Sequence, residues 1–323
     1  MQTHNQCDVL IIGAGISGLM AATRLKESGR SVTVLDKGNN YGGRMATRLF
    51  DDGIFDHGAQ FFTVRQPIFQ TYVDKWSAED IIKVWFESES KQFERHPRWI
   101  ASRGMNSLPK HIARNLSVHL STEVIKLSYD HIKWTAFCQD GTVYSGKHLL
   151  ITTPTPQTKY LLETTDILLP SNMKYALQNV QYEKGLSILL RLNEPSGLPE
   201  PGGMKYDHPK ISWIADNQMK GISNVSALTI HSTADFAAAT WHQTHDKKIA
   251  LISDDIKSLM KASIKSAQTH RWGYTLPINP HKEKSLTSLD LQLTLAGDAF
   301  GGPRVEGSAC SGLHAAEQIS LAN

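Results

Sequence analysis

The segment Cys7–Asp36, CDVLIIGAGISGLMAATRLKESGRSVTVLD, constrains this chain more than any other stretch of it. Asp8 to Ile12 is a short apolar run of the buried-strand type, and Gly13-Ala14-Gly15-Ile16-Ser17-Gly18 follows at once in the pattern G-x-G-x-x-G. Gly13 allows a tight turn, Gly15 lets the backbone approach a pyrophosphate, and Gly18 lets helix pack closely on strand. A helix opening at Ile16 and Ser17 then offers free N–H groups and a positive end to phosphate charge. Leu19, Ala22 and Leu25 share one face of that helix, Gly29 stops it, and Ser31 to Leu35 is a second strand rich in β-branched residues. Asp36 ends that strand eighteen residues past Gly18, where a carboxylate accepts from adenosine ribose hydroxyls. Together with the adjoining Lys37 it completes a β-α-β dinucleotide site.

A chain of 323 residues has room for two lobes, since single cores rarely grow beyond roughly 250–300 residues. Its 34 basic and 31 acidic side chains leave a net charge of +3, too little to argue for nucleic acid as a partner. Cys7, Cys138 and Cys310 are three and far apart, which fits reduced thiols in the cytoplasm better than a disulfide framework. The apolar start has no basic region before it, and glycines interrupt it, so it does not read as a signal peptide. No run approaches 18 uninterrupted apolar residues. The expectation is a soluble cytoplasmic protein that binds no membrane; nothing in the sequence fixes its oligomeric state.

Past Asp36 the chain reads Asn40-Tyr41-Gly42-Gly43-Arg44-Met45-Ala46-Thr47. Paired glycines permit close backbone approach, and an arginine beside them offers forked donors to phosphate or to a flavin edge. This second motif resembles that of the FAD-containing amine oxidase superfamily. There it follows the dinucleotide fingerprint, and the resemblance carries Gly43, Arg44 and Met45 over as cofactor residues. Asp52-Gly53 signals a hairpin turn, and in Asp56-His57-Gly58-Ala59-Gln60-Phe61 the resemblance places Gly58, Ala59, Gln60 and Phe61 beside the flavin ring.

Pro67 to Lys91 has helix-like and then strand-like spacing, with Trp76, Trp85 and Phe86 as core residues. Arg95, His96, Arg98, Trp99 and Arg103 form a basic cluster before Gly104-Met105-Asn106-Ser107-Leu108-Pro109, which opens a helix. Val118 to Ser128 reads as one strand, within which Glu123 and Val124 resemble the superfamily's adenine-side strand. Ile132 to Phe137 and Thr142 to Tyr144 form a meander, and His148 to Thr152 a separate buried strand. Thr153-Pro154-Thr155-Pro156 resembles the crossover leaving the cofactor lobe and brings Thr153 to the cofactor.

In the second half, Ser171 to Asn179 reads as a helix, Leu186 to Leu192, Ile211 to Ile214 and Ser226 to His231 as strands, and Pro195 to Pro209 as loop. Helices are expected to begin at Phe236 and to span Asp254 to Ser263. His242 and His245 lie three apart without a third ligand, so no metal site is expected. Leu291 to Leu295 is a last strand running into Ala296-Gly297-Asp298, and a helix follows to Leu321. By resemblance Gly297 and Asp298 hold the ribitol side of the flavin. Val305, Glu306 and Ala309 are assigned to a helix start near Gly307 to Ala309 that faces the pyrimidine ring.

No second G-x-G-x-x-G follows a strand, so no separate nicotinamide domain is expected. The fold class expected is α/β: a Rossmann-like FAD-binding domain with an inserted mixed-sheet substrate domain, in the two-domain architecture of amine oxidases. The cofactor domain is assigned to 1–65, 102–165 and 286–323, the substrate domain to 66–101 and 166–285. Within the superfamily the chain is most similar to the renalase-like group, on Gly42 to Thr47, Asp56 to Phe61, Trp99 to Pro109, the strand ending in His231, Arg271-Trp272 and Ala296 to Asp298. That resemblance implies noncovalent FAD and a dihydronicotinamide dinucleotide substrate, a misreduced isomer of NAD(P)H. Its oxidation to NAD(P)+ would pass hydride to flavin N5, and dioxygen would be reduced to hydrogen peroxide. Amine oxidases and desaturases share the flavin motifs and remain the alternative. Such chemistry needs placement more than proton transfer, and the sequence contains no convincing nucleophile–base pair. Trp272 and Tyr274 are therefore assigned to the wall over the flavin, His231 to a hydrogen bond with the substrate's ring amide, and Arg98 or Arg103 to a substrate phosphate.

Overall fold

The computed structural model describes residues 5–87, 96–260 and 262–321; Arg95 of the basic cluster lies outside them. In chain order the elements begin with β1 (Asn5–Ile12), α1 (Ile16–Glu27), β2 (Val32–Leu35) and the hairpin β3 (Thr47–Phe50) and β4 (Gly53–Asp56). Next come α2 (Pro67–Ala78), a second hairpin β5 (Ile82–Glu87) and β6 (Pro97–Ala101), and α3 (Ser107–Ala113). The strands β7 (Ser117–His119), β8 (Val124–Tyr129), β9 (Trp134–Cys138) and β10 (Val143–Ile151) lead to α4 (Thr155–Leu162) and α5 (Ser171–Asn179). Then β11 (Gly185–Leu192), β12 (Gly203–Lys205), β13 (Ile211–Asp216) and β14 (Ala227–Ser232) precede α6 (Ala234–Thr240) and α7 (His245–Leu259). The chain finishes with β15 (Ile264–Trp272), β16 (Leu286–Ser288), β17 (Leu293–Leu295) and α8 (Arg304–Leu321).

Eight strands form one sheet, ordered β16-β17-β10-β1-β2-β7, with β9 and β8 leaving it beside β10. Its centre is parallel: β1 runs with both β10 and β2, and β10 with β17. That explains the unbroken apolar run at the start of the chain. Leu10 and Ile12 pack into one buried cluster with Trp134, Leu149 and Met173, while Val9 and Ile11 pack into another with Leu19, Leu25 and Ala316. A parallel strand covered on both faces has no side for polar residues. The second sheet, β12-β13-β14-β11-β15, is antiparallel at every pair. Leu186, Ile188 and Leu190 on one of its faces pack with Phe236, Ala237, Ile252 and Ile256 of α6 and α7.

The chain departs from the sequence expectation in five places. Val118 to Ser128 is two strands, broken where Ser121 takes φ +52°; there the N–H groups of Ser121 and Thr122 donate to the carbonyls of Gly38 and Asp36. The break carries Glu123 and Val124 to the end of β2. Conversely, the strands expected at 142–144 and 148–152 are parts of one strand, β10, which is paired with β1 from Tyr144 to Ile151. Pro195 to Pro209 contains the short β12. The second of the expected helices spans His245–Leu259, started by Thr244, whose hydroxyl accepts from the Lys247 N–H, and β15 occupies polar, weakly alternating sequence that was not assigned to a strand.

Candidate active site

A cavity of about 1500 Å³ runs from Gly13 at the end of β1 to the face of the second sheet. Most small-molecule pockets measure roughly 300–1,000 Å³, so there is room for a dinucleotide and a second ligand.

One arm is built by the N-terminal motif. Gly13 has φ +112°, and a Cβ on Gly18 would stand 2.0 Å from the Gly13 carbonyl oxygen, whereas one on Gly15 would meet nothing within 4 Å. The first glycine makes the turn, the third allows contact, and the middle one faces the open cavity. Helix α1 starts after Gly15 with no side-chain cap and no acid in its first turn, and among the described residues the buried Ser17 hydroxyl has no partner. Unpaired donors at a positive helix end are what a pyrophosphate requires. Asp36 lies on the same wall. Its carboxylate accepts from the N–H groups of Ala14 (2.6 Å) and Gly38 (2.7 Å), and burial raises its pKa above the usual carboxylate range.

The second motif closes against the end of the chain. Arg44 forms a forked ion pair with Asp298, at 2.5 and 2.7 Å, and donates to the Tyr274 carbonyl at 3.2 Å. The Tyr182 hydroxyl donates to the same carboxylate at 3.2 Å. Two residues assigned separately to the cofactor thus hold one another, a contact spanning most of the chain. Gly58 runs so close that a Cβ there would lie 1.9 Å from the Arg44 carbonyl oxygen.

The other arm is a row of side chains across the second sheet. Trp213 of β13 stands opposite His231 of β14, His231 opposite Ser187 of β11, and Ser187 opposite His270 of β15. Directly opposed residues project to one face, and all four line the cavity. Trp272, two residues past His270, shares that face. Its indole N–H reaches the His57 carbonyl (2.9 Å) and the Ser187 hydroxyl (3.0 Å). The Trp272 ring stacks on His57 at 5.4 Å and meets His270 edge-on at 4.5 Å. Desolvation pushes the His57 imidazole down to about 3, with the fields of His270 and Arg48 adding to it, and holds His231 and His270 at about 4. All three rings are neutral near pH 7. Gln60 sits above the row, its amide N–H₂ on the carbonyls of Asp56 and Gly58 and 3.3 Å from His231 Nε2. The Gln60 carbonyl oxygen and His57 Nδ1 are buried and have no partner among the described residues.

Of the residues singled out from sequence, Gly13, Gly15, Ile16, Ser17, Asp36, Lys37, Gly43, Arg44, Met45, Gly58, Ala59, Gln60, Phe61, Arg98, Glu123, Val124, Thr153, His231, Trp272, Tyr274, Gly297, Asp298, Val305 and Glu306 line this one cavity. Gly18 lies behind it as a packing residue. Two further assigned residues lie off this cavity. Arg103 is exposed on the turn after β6 and is not on the wall. Ala309 is buried among Ile16, Met20 and Leu313, because α8 begins at Arg304 and its free end lies before Ala309. Glu306 reaches the wall, but one of its carboxylate oxygens accepts the N–H groups of Arg65 and Gln66 at 2.6 and 2.7 Å.

Sequence reading did not single out His57, Ser187, Trp213, His270, Arg65 or Arg304 on the wall. It also did not single out Lys220, which lies fully buried behind the row and is paired with Asp56 at 2.7 Å. The alternation of His270 with Trp272 was the one available signal; the others depend on pairings between distant strands. Among the described residues no group of His, Cys, Asp and Glu is placed to hold a metal. His245 instead bonds the Thr269 hydroxyl. No described helix is long and apolar enough to cross a membrane.

Comparison with known proteins gives the same picture. Residues 11–76 match the model of an NAD(P)-binding Rossmann-like domain, and residues 82–320 that of flavin containing amine oxidoreductase. A 4,4'-diapophytoene desaturase of Staphylococcus aureus strain Newman is 31% identical over 93 residues, 26% of this chain and 18% of that protein; the strain MRSA252 protein is 32% identical over 91 residues. The chain therefore aligns with under a fifth of the length of these relatives. A redesigned putrescine oxidase superposes with TM-score 0.78 at 15% identity, covering 99% of this chain and 100% of that one. A putative protoporphyrinogen oxidase from Exiguobacterium sp. 255-15 superposes with TM-score 0.74 at 13% identity over 100% of both chains.

Proposed function

Because the chain belongs to the flavin-containing amine oxidoreductase family, we propose that it is an FAD-dependent oxidase returning misreduced dihydro isomers of NAD(P)H to NAD(P)+, with dioxygen reduced to hydrogen peroxide. FAD, held noncovalently, supplies the hydride acceptor at its N5 and the route to dioxygen. The residues present fit it. The open Gly15, the unpartnered Ser17 hydroxyl and the uncapped start of α1 suit its pyrophosphate. Asp36 would meet the ribose, and Arg44 and Asp298 the ribitol side. On this reading 1–65, 102–165 and 286–323 form the cofactor unit and 66–101 with 166–285 the substrate unit.

The observation that carries the reading is the Trp213–His231–Ser187–His270 row with Trp272 beside it. Flat rings and neutral imidazoles position a planar substrate and shield it from water. None of the three histidines is charged near neutral pH, and restoring pyridinium aromaticity releases no proton from the reacting carbon. Placement is the protein's contribution. His231 is assigned a hydrogen bond to the substrate carboxamide, and Trp272 and Tyr274 the wall over the ring.

A flavin amine oxidase, or another oxidase or desaturase of the family, is the second reading. Glu183, half-buried on the cavity wall with no side-chain partner among the described residues, is what an ammonium group would need. Anaerobic stopped-flow mixing decides between them, using borohydride-reduced NAD, ordinary NADH and putrescine as separate reductants. Flavin bleaching by the borohydride-derived isomers alone is expected. Bleaching by putrescine without response to the dihydropyridines overturns the first reading.

A further inference from the structure

We propose that the cavity mouth carries an anion subsite, formed by Arg65, Arg98 and Arg304 beside the Phe61–Trp213 ring pair, that takes the phosphate of a nucleotide substrate. It deepens the dihydronicotinamide reading and rests on it for the identity of the substrate's ring. The subsite lies apart from the pyrophosphate arm at Gly13 to Ser17.

Three sequence-distant elements supply the arginines, and backbone contacts hold them together. Phe62 and Trp99 exchange backbone hydrogen bonds of 2.9 and 2.8 Å, which lays β6 and its Arg98 beside residue 62. Glu306 accepts the N–H groups of Arg65 and Gln66, which fixes the loop before α2 against the first turn of α8, where Arg304 sits. All three arginines line the cavity, and none has a carboxylate partner among the described residues. Among the described residues Arg98 donates only to the His96 carbonyl, at 2.8 Å. Glu306, in the first turn of α8, already receives two backbone N–H groups. Burial lowers the Arg98 pKa, and the positive fields of Arg65 and Arg304 lower it further. Like charges gathered without a counter-charge repel until an anion arrives, and the start of α8 adds its own positive end.

The neighbouring rings specify what accompanies the anion. The Arg98 guanidinium lies 5.2 Å from the Phe61 centroid, and the Phe61 and Trp213 rings are 5.2 Å apart at 53°. The indole N–H of Trp213 is buried with no acceptor among the described residues, a donor left for a ligand oxygen. Trp213 also begins the row that ends at His270, so the subsite is continuous with the proposed ring wall. A solvated charged surface would explain Arg65 and Arg304, which are exposed. It does not explain a half-buried Arg98 laid on an aromatic ring without an acid.

The test uses FAD-loaded enzyme and two non-reducing probes, nicotinamide mononucleotide and nicotinamide riboside, which differ by one phosphate. By calorimetry the mononucleotide is expected to bind at least about tenfold tighter. That advantage should fall severalfold in Arg98→Gln and in Arg65→Gln/Arg304→Gln, and should shrink with added salt. Circular dichroism and flavin content confirm that the variants are folded. Equal binding of both probes, binding of neither, or an undiminished advantage in the folded variants overturns the subsite. If the advantage behaves as stated while no dihydropyridine bleaches the flavin, the subsite stands and the functional reading falls. If dihydropyridines bleach the flavin with the same KM in wild type and variants, the opposite holds.

Discussion

Ser17 shows how one atom separates folding from binding. Its hydroxyl is buried at the start of α1 with no partner among the described residues, so its removal is expected to cost the fold little. Ser17→Ala is expected to unfold at the wild-type urea midpoint and to hold flavin about tenfold more weakly, the value of a hydrogen bond to a charged group; fluorescence titration of the flavin-free protein with FAD measures it. The Lys220–Asp56 pair is the opposite case. Burial lowers the Lys220 pKa against the pull of Asp56, and the carboxylate also accepts from the Thr47 hydroxyl and the Met105 N–H. Lys220→Met strands a buried carboxylate and is expected to lower stability by about 3–5 kcal/mol in urea, with Lys220→Met/Asp56→Asn losing less. The sequence offers no sign of this pair, because a lysine in a turn and an aspartate ending a strand are each ordinary until a distant contact buries both.

Elements whose hydrogen bonds and contacts are local were readable. The turn at Gly13, the helix α1 and the hairpin around Asp52-Gly53 follow from residue types at fixed offsets. Elements defined by distant partners were not. Residues 264–272 alternate weakly and are rich in polar side chains, and they form β15 only because β11 is there to pair with. The two pieces of β10 join for the same reason. At this scale the glycines allow a discriminating experiment. Gly18→Ala drives a methyl group to within 2.0 Å of the Gly13 carbonyl oxygen and is expected to lose about 1–3 kcal/mol of stability as well as flavin. Gly15→Ala meets nothing in the protein, so it is expected to fold like wild type and to purify colourless. Equal thermal stability of the two variants would contradict this division of labour.

Across the whole molecule, the cofactor side was far more legible than the substrate side. A dinucleotide arm is specified by short motifs, whereas the facing wall is assembled from four strands whose register no motif records. That wall gives the protein a pH signature. An unfolded histidine takes up its proton near the ordinary value of about 6.5, but His57 does so near 3 and His231 and His270 near 4 in the folded chain. Between those values the unfolded state holds more protons, so stability is complete above about pH 6.5 and drains away as the solution is acidified. Calorimetric melting temperatures should therefore decline from pH 6.5 toward 4, less steeply in His231→Phe; a flat profile would contradict the neutral wall.

The forked contact of Arg44 with Asp298 also orders events in time. Helix α8 packs on α1, where a Cβ on Gly312 would lie 2.0 Å from the Ser17 carbonyl oxygen, and β17 lies beside β10. An early-made part of the nucleotide arm is thus completed by a segment made much later. A nascent chain stalled before Leu293 would lack the carboxylate that pairs with Arg44 and the helix that packs on α1, and is expected to retain flavin only once the residues beyond Asp298 have been made.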